Sequence, residues 1–249
     1  MASECPHSVP SWSEQDSQAF IDFGHYFVPE RDTQLQLLCA LIPPVSSPCH
    51  IWELCCGEGI LAQALLERIP HSIVHGYDGS PAMLQRAQSR LVQYGTRFEA
   101  QYFDICARHW RQPPWPVHAV VSSLALHHLD TIQKQELFHD LYQILQPGGA
   151  LLIADLIQPA HLRGIEVAAE SWDAAVRQQA VALDGDLRAF DYFQREHWNY
   201  YRYPDAMDKP SRLFDQLTWL GQAGFVDIDV YWMHAGHALF GGFKASATP

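Results

Sequence analysis

The chain has 249 residues, 48% of them apolar and 18% charged, and includes 12 Phe, 10 Tyr and 8 Trp. One large domain or two small ones of that size bury about 70–75% of the unfolded surface, and this composition excludes intrinsic disorder. Sixteen Lys and Arg against 28 Asp and Glu give a net charge of −12, which repels phosphate backbones at long range and disfavours a protein that coats nucleic acid.

Residues 14–23 and 31–42 read as helices, the second with Leu35, Leu38, Leu41 and Ile42 at helical spacing. The prolines and serines of LIPPVSSPC (41–49) break the chain. Strand and helix signals then alternate: strand 50–54, helix 58–69, strand 72–78, and helix 80–94 with Ser80 as N-cap and Pro81 at its first position. Strand 98–104, strand 118–128 running into a loop, and helix 132–145 follow, the last stopped by Pro147-Gly148-Gly149 ahead of strand 150–157. Five strands separated by helices imply a parallel sheet covered on both faces. Helix 214–224 precedes two strands, 226–233 and 237–244, joined only by His234-Ala235-Gly236, which read as an antiparallel hairpin at the sheet edge. Residues 160–212 depart from the alternation and read as an inserted helical and aromatic cap. The expected architecture is α/β: a Rossmann-like, seven-stranded, mostly parallel sheet in one domain. Its parts are an N-terminal helical segment (1–44), a core (45–159), the cap (160–212), and the last helix with the C-terminal hairpin (213–249).

Six cysteines (Cys5, Cys39, Cys49, Cys55, Cys56 and Cys106) are too sparse for a disulfide framework. No long uncharged apolar stretch exists, and the N-terminus lacks the basic and apolar regions of a secretory signal. A reduced, cytoplasmic protein is the expectation.

The first strand ends in Glu53-Leu54-Cys55-Cys56-Gly57-Glu58-Gly59 and enters a helix directly. Glycines there let backbone N–H groups approach a ligand at a helix N-terminus. Asp78 ends the second strand, where a carboxylate accepts bonds from ribose hydroxyls; the plainer alternative is a charge complementing a helix dipole. Vicinal thiols at Cys55-Cys56 lack the spacing of a zinc or redox motif.

These residues together with G-Y-D-G-S-P-A-M-L, F-D-I, S-S-L-A-L-H-H-L and L-Q-P-G-G, in order over about residues 50–157, resemble the class I S-adenosylmethionine-dependent methyltransferases. The resemblance implies S-adenosyl-L-methionine as cofactor and S-adenosyl-L-homocysteine as product. It places Glu53 near the cofactor's ammonium, Gly57 and Gly59 beneath it, and Asp78 at the ribose, with Gly79 and Met83 in the same motif. It further implies Asp104-Ile105 at adenine and Ser123 and Leu124 beside the methionine moiety. Cys55 departs from the glycine often found in the family; a small thiol is expected to fit there without positive φ. A dinucleotide fingerprint is the competing reading, but it meets Ala62 three residues after Gly59.

In such sheets the acceptor faces the loops after the fourth and fifth strands and the cap. His128 and His127 are candidates for base or substrate ligand, with Asp155 at the end of the fifth strand and His197 from the cap; each has a packing or capping alternative. The cap's Trp198, Tyr200, Tyr201 and Arg202 are candidate substrate contacts, against the alternative of a small aromatic subcore. Residues 24–34 would fold over the cofactor's entrance, with Tyr26 and Arg31 as contacts, Arg31 to the cofactor carboxylate, unless Tyr26 only secures a helix. No ligand spacing supports a metal, and none is expected. The reading is a methyltransferase acting on an O, N or C nucleophile of a small molecule. The alternatives are a tRNA wobble-uridine modifier, disfavoured by the acidic balance, and a cofactor-binding protein without turnover. No membrane partner is expected, and a homodimer is one assembly the sequence leaves open.

Overall fold

The computed structural model describes residues 12–44 and 48–246; Cys5 and residues 45–47 of the expected break lie outside them. Two helices come first, α1 (Glu14–Phe27) and α2 (Arg31–Leu41). Then follow β1 (Cys49–Leu54), α3 (Ile60–Arg68), β2 (Ser72–Asp78), α4 (Pro81–Arg90), β3 (Phe98–Tyr102), β4 (Val117–Ser123), α5 (Thr131–Ile144) and β5 (Leu145–Leu156). The cap contributes α6 (Leu162–Asp184) and α7 (Arg188–Arg195), and α8 (Leu213–Ala223), β6 (Val226–His234) and β7 (His237–Phe243) complete the chain.

The seven strands form one sheet in the order β3-β2-β1-β4-β5-β7-β6. β1 to β5 are parallel, and β7 pairs antiparallel with both β5 and β6, so the C-terminal hairpin lies at the edge as read from the sequence. Alternate residues of each central strand serve opposite faces, as the period of two requires. Trp52, Leu54, Val120, Leu151 and Ile153 join a core with α5 and α8, while Ile51, Val74, Val121 and Leu152 join one with α2 and α3. A third, aromatic core unites α1, α6 and α7 around Phe27, Trp172, Phe193 and Tyr201.

Element ends follow capping chemistry. Ser13 and Asp16 form a capping box at α1, Asp130 and Gln133 do so at α5, and the Ser80 hydroxyl accepts from the Met83 amide at α4. Several expected bounds shift. The helix expected to reach residue 94 stops at Arg90, where a 3₁₀ segment (Val92–Arg97) takes over. Strand 98–104 ends at Tyr102, because Asp104 turns back to accept from the Cys106 amide. The Pro147-Gly148-Gly149 break lies within β5 instead of before it: Leu145 already pairs with Val117, and the turn residues are held by Lys244, which bonds Gly148 and Gly149. No described helix is long and apolar enough to cross a membrane, and Cys39, Cys49, Cys55 and Cys56 are free thiols.

Candidate cofactor and acceptor site

The C-terminal ends of β1, β2, β4 and β5 open on one side of the sheet. The chain leaves β1 through three left-handed residues, Cys55 (φ 55°), Gly57 (φ 54°) and Gly59 (φ 81°). The expectation for Cys55 is therefore corrected: its thiol occupies a positive φ, because the loop must reverse at once for the Cys56 amide to donate to the Tyr77 carbonyl (2.9 Å). Gly59 has a further reason to be glycine, since a Cβ there would stand 3.0 Å from Leu91 and 3.1 Å from Ala87.

Asp78 holds this loop. Its carboxylate accepts from the Gly57 amide (2.8 Å) and the Ser80 amide (2.8 Å). Burial raises its pKa against the pull of these bonds. Ser80 supplies the side-chain cap of α4, while Asp78 accepts from the Ser80 amide at the same helix start. Met83 packs beside Gly57, Gly79 follows Asp78 against the Phe103 carbonyl, and the Asp104-Ile105 turn lies at the end of the adjoining β3. The cofactor residues proposed from the sequence on β1 to β3 thus assemble around one loop.

Glu53 of β1 and Arg31 of α2 carry unmet hydrogen-bonding capacity. Glu53 is 2% exposed and its Oε2 has no partner; burial pushes its carboxyl well above the ordinary value, with the charge of Asp78 adding to the shift. Arg31, at the first turn of α2, has Nε and Nη1 shielded and unpartnered, while burial depresses its guanidinium and Glu58 and Glu53 partly restore it. An unsatisfied carboxyl and an unsatisfied guanidinium that feel each other's charge match the ammonium and carboxylate of an amino-acid moiety. The residues therefore fit S-adenosylmethionine.

At the end of β4, Leu124 takes a left-handed φ of 56° and its amide donates to Ala154, beyond Ser123. A short 3₁₀ turn then presents His127 and His128. The His127 amide and Nδ1 both meet the Asp155 carboxylate, at 2.8 and 2.5 Å. Burial alone would lower the His127 pKa, but Asp155 raises it; reciprocally, His127 outweighs burial to hold Asp155 low. Asp208 of the cap completes the group, its Oδ1 lying 3.0 Å from His128 Nδ1 and 3.6 Å from His127 Nε2. Its carboxyl is held low by the His128 contact against burial, while burial and the neighbouring His127 lower His128.

An aromatic wall adjoins His128. The Trp12 ring lies 5.7 Å from the His128 ring, 6.2 Å from Trp198 and 6.0 Å from Phe20, and Trp198 also meets Phe27 at 5.2 Å. Trp12 Nε1 donates to Ser17 Oγ, fixing the ring at the start of α1. Glu14 accepts from the Ala82 amide, so α1 lies across the first turn of α4.

Other candidates are placed elsewhere. The Tyr26 hydroxyl bonds Asp184 on α6 and its ring belongs to the aromatic core. Tyr201 is buried with its hydroxyl against the Ile157 and Gly236 carbonyls, tying the cap to the sheet. Arg202 pairs with Asp173 on α6. His197 is exposed and stacked on Tyr203, and is not among the groups around Asp155. Tyr200 stays half-buried near Asp208, whose charge adds to the rise that burial gives its hydroxyl. Sequence reasoning missed Asp208, Trp12, Phe20 and Lys134. A pair of aspartates at 205 and 208 inside the aromatic cap, and a Trp immediately before the Ser13–Asp16 capping box, were the available signals.

Comparison with known proteins agrees with the fold. A methyltransferase-domain family model matches residues 51–149. The trans-aconitate 2-methyltransferase of Rhodopseudomonas palustris is 25% identical over 97% of this chain and 92% of its own. That of Paracidovorax citrulli is 33% identical over 67% of this chain and 63% of its own. Among solved structures, Haemonchus contortus phosphoethanolamine N-methyltransferase 2 in complex with S-adenosyl-L-methionine superposes with a TM-score of 0.63 at 16% identity, over 97% of this chain and 62% of that one. Residues 51–149 form a methyltransferase domain, and the chain is similar to the class I S-adenosylmethionine-dependent methyltransferases. The methyltransferase spans 55% of the Escherichia coli relatives it matches and 57–62% of solved neighbours such as the apo methyltransferase SibL and a Burkholderia thailandensis O-methyltransferase family protein.

Proposed function

We propose that this methyltransferase acts on a small-molecule nucleophile held between the aromatic wall and the His127–His128–Asp208 group. S-adenosylmethionine bound at Glu53, Asp78 and Arg31 supplies a methyl carbon made electrophilic by its sulfonium. The chain's own residues then orient an acceptor, exclude water and manage a proton. Trp12, Phe20 and Trp198 offer flat apolar faces, and His128 stands at their edge with Asp208 behind it. Asp155 fixes the ring of His127 through Nδ1, leaving Nε2 toward the same group. Holding the nucleophile in line with the methyl is the main catalytic demand.

The observation that carries this reading is the pairing of unsatisfied Glu53 and Arg31 atoms with an aromatic wall ending in histidines. It also bears on acceptor charge. Lys134 Nζ is bonded to the Lys209 carbonyl and Ser211, and Lys209 Nζ to the His128 carbonyl. Apart from Arg31, which lies 5.6 Å over Phe20 and is assigned to the cofactor's carboxylate, the wall is left with aromatic faces, imidazoles and a carboxylate. A flat neutral or cationic acceptor suits it better than the tricarboxylate named for the relatives. The test is S-adenosylhomocysteine release with panels of phenols, aromatic amines, thiols and trans-aconitate. Turnover confined to trans-aconitate, or none with any panel, would refute the reading.

A further inference from the structure

We infer that His127, His128 and Asp208 form a binding site for a divalent first-row transition ion, zinc by preference. One donor atom from each of the three residues lies within 4.8 Å of the other two. The separations of 3.0 and 3.6 Å from Asp208 Oδ1 to the two imidazoles bracket the roughly 3.3 Å between neighbouring ligands of a tetrahedral zinc with bonds of about 2.0–2.1 Å.

Three further observations point to a cation. His128 Nδ1 and Asp208 Oδ1 are both buried and neither has a hydrogen-bond partner, although they stand 3.0 Å apart. Their 3.0 Å approach is an ion-pair distance that two ligands of a common centre would also adopt. Next, Asp155 engages His127 through Nδ1, the carboxylate–histidine pairing that fixes the tautomer of metal-binding imidazoles and leaves Nε2 as the ligand. Finally, the segment bearing Asp208 is preorganised on both sides. The Asp205 carboxylate accepts from the amides of Met207 and Asp208, the Lys209 amide donates to the His127 carbonyl, and the buried Lys134 clamps the Lys209 carbonyl and Ser211. Sequence spacing gave no metal signal because the third ligand comes from the cap, some 80 residues after the histidine pair.

Three protein ligands leave a position for a water or for the acceptor's heteroatom, whose proton is lost to water more readily when the atom is bound to a divalent ion. Only this last role rests on the acceptor reading above; the site itself does not.

The test is titration of the chelator-stripped full chain with Co²⁺, followed by displacement with Zn²⁺. One equivalent with the visible spectrum of a tetrahedral site is expected. His128→Ala and Asp208→Asn should each weaken uptake by about 100-fold, and Asp155→Asn, acting through His127, by about 10- to 100-fold. His139→Ala, on the exposed side of α5, should leave it unchanged, and circular dichroism with S-adenosylhomocysteine binding confirms that each variant is folded. No uptake above a chelator-treated blank, or uptake that His128→Ala and Asp208→Asn do not weaken, overturns the inference. Uptake is read without any acceptor, so a protein that binds the ion yet methylates nothing counts against the acceptor reading alone. Turnover in stripped protein that takes up no Co²⁺ counts against the metal alone.

Discussion

Arg31→Met separates the cofactor's amino-acid end from its nucleoside end. Arg31 reaches the site from α2 with Nε and Nη1 shielded and unpartnered, its guanidinium lying 5.6 Å over the Phe20 ring. Methionine keeps much of the alkyl stem and removes the charge. A hydrogen bond to a charged group contributes about 1.5–3 kcal/mol, and each 1.4 kcal/mol is a factor of ten, so S-adenosylhomocysteine should bind about 10- to 150-fold more weakly. The control ligand is 5′-methylthioadenosine, which has the same nucleoside but neither carboxylate nor ammonium. Its affinity should be unchanged, because Asp78, Met83 and the Asp104-Ile105 turn are not in the perturbed contact. Calorimetry on both proteins with both ligands gives a complete cycle. Equal losses for the two ligands would show that the substitution disturbs the glycine loop rather than a carboxylate contact. No loss for S-adenosylhomocysteine would remove Arg31 from the site and leave its unpartnered nitrogens unexplained.

Tyr201→Phe strips a hydroxyl from between the Ile157 and Gly236 carbonyls, 2.6 and 2.5 Å away. It should cost about 1–3 kcal/mol, or about 2–4 °C in Tm per kcal/mol, with acceptor KM unchanged; a raised KM at unchanged Tm would restore Tyr201 as a substrate contact. Cys55→Gly relieves a left-handed backbone cost of about 1–2 kcal/mol against a glycine entropy cost of about 0.5–1 kcal/mol. Thermal denaturation should show a small rise in Tm, and a fall would mean that thiol packing outweighs the strain. Asp140 is paired with Arg108 and Arg111, whose hydrogen bonds hold its carboxyl low although burial raises it. The stabilisation it gives is full above the unfolded carboxyl value of about 3.9 and disappears as pH falls through the lower folded value. Denaturant melts should therefore find Asp140→Asn less stable by about 1 kcal/mol at pH 7 and equal to the parent only in stronger acid; a gap that persists there would mean packing, not charge, is lost.

The parallel sheet was legible because its signals are local. Strand and helix periods alternate from residue 50 to 157, and Ser80-Pro81 marks a helix start unaided. The proposed cofactor residues stand out for the same reason, since Glu53 and Asp78 lie at strand ends and the Gly57–Gly59 loop follows one. The acceptor side was only half legible. His127, His128 and Asp155 follow strands and were found, but their geometry depends on Asp208, which reaches them from the cap through a turn held by Asp205 and Lys134. The aromatic run around residue 200 divides along lines no local pattern records: Trp198 joins the wall, Tyr201 ties the cap to the sheet, and Arg202 and His197 face outward. Cys55 shows the opposite failure. Its residue type argued for an ordinary backbone, and the demand of the strand-to-helix turn prevailed.

The family model ends at residue 149, and this boundary has chemical meaning. Within it lie the cofactor loop and the histidine pair. Outside it lie Trp12 and Phe20 on one side and Asp155, Trp198 and Asp208 on the other, the residues of the proposed acceptor wall. The family match therefore speaks for the methyl donor, while the acceptor side falls outside it. In this chain Lys134 and Lys209 are turned to backbone carbonyls and Asp208 faces the histidines. Replacing Asp208 by lysine would reverse that charge at the wall. If acceptor choice is set by the wall rather than the core, the variant should lose neutral and cationic acceptors in competition assays while its affinity for S-adenosylhomocysteine holds. Unaltered acceptor preference would place the specificity elsewhere.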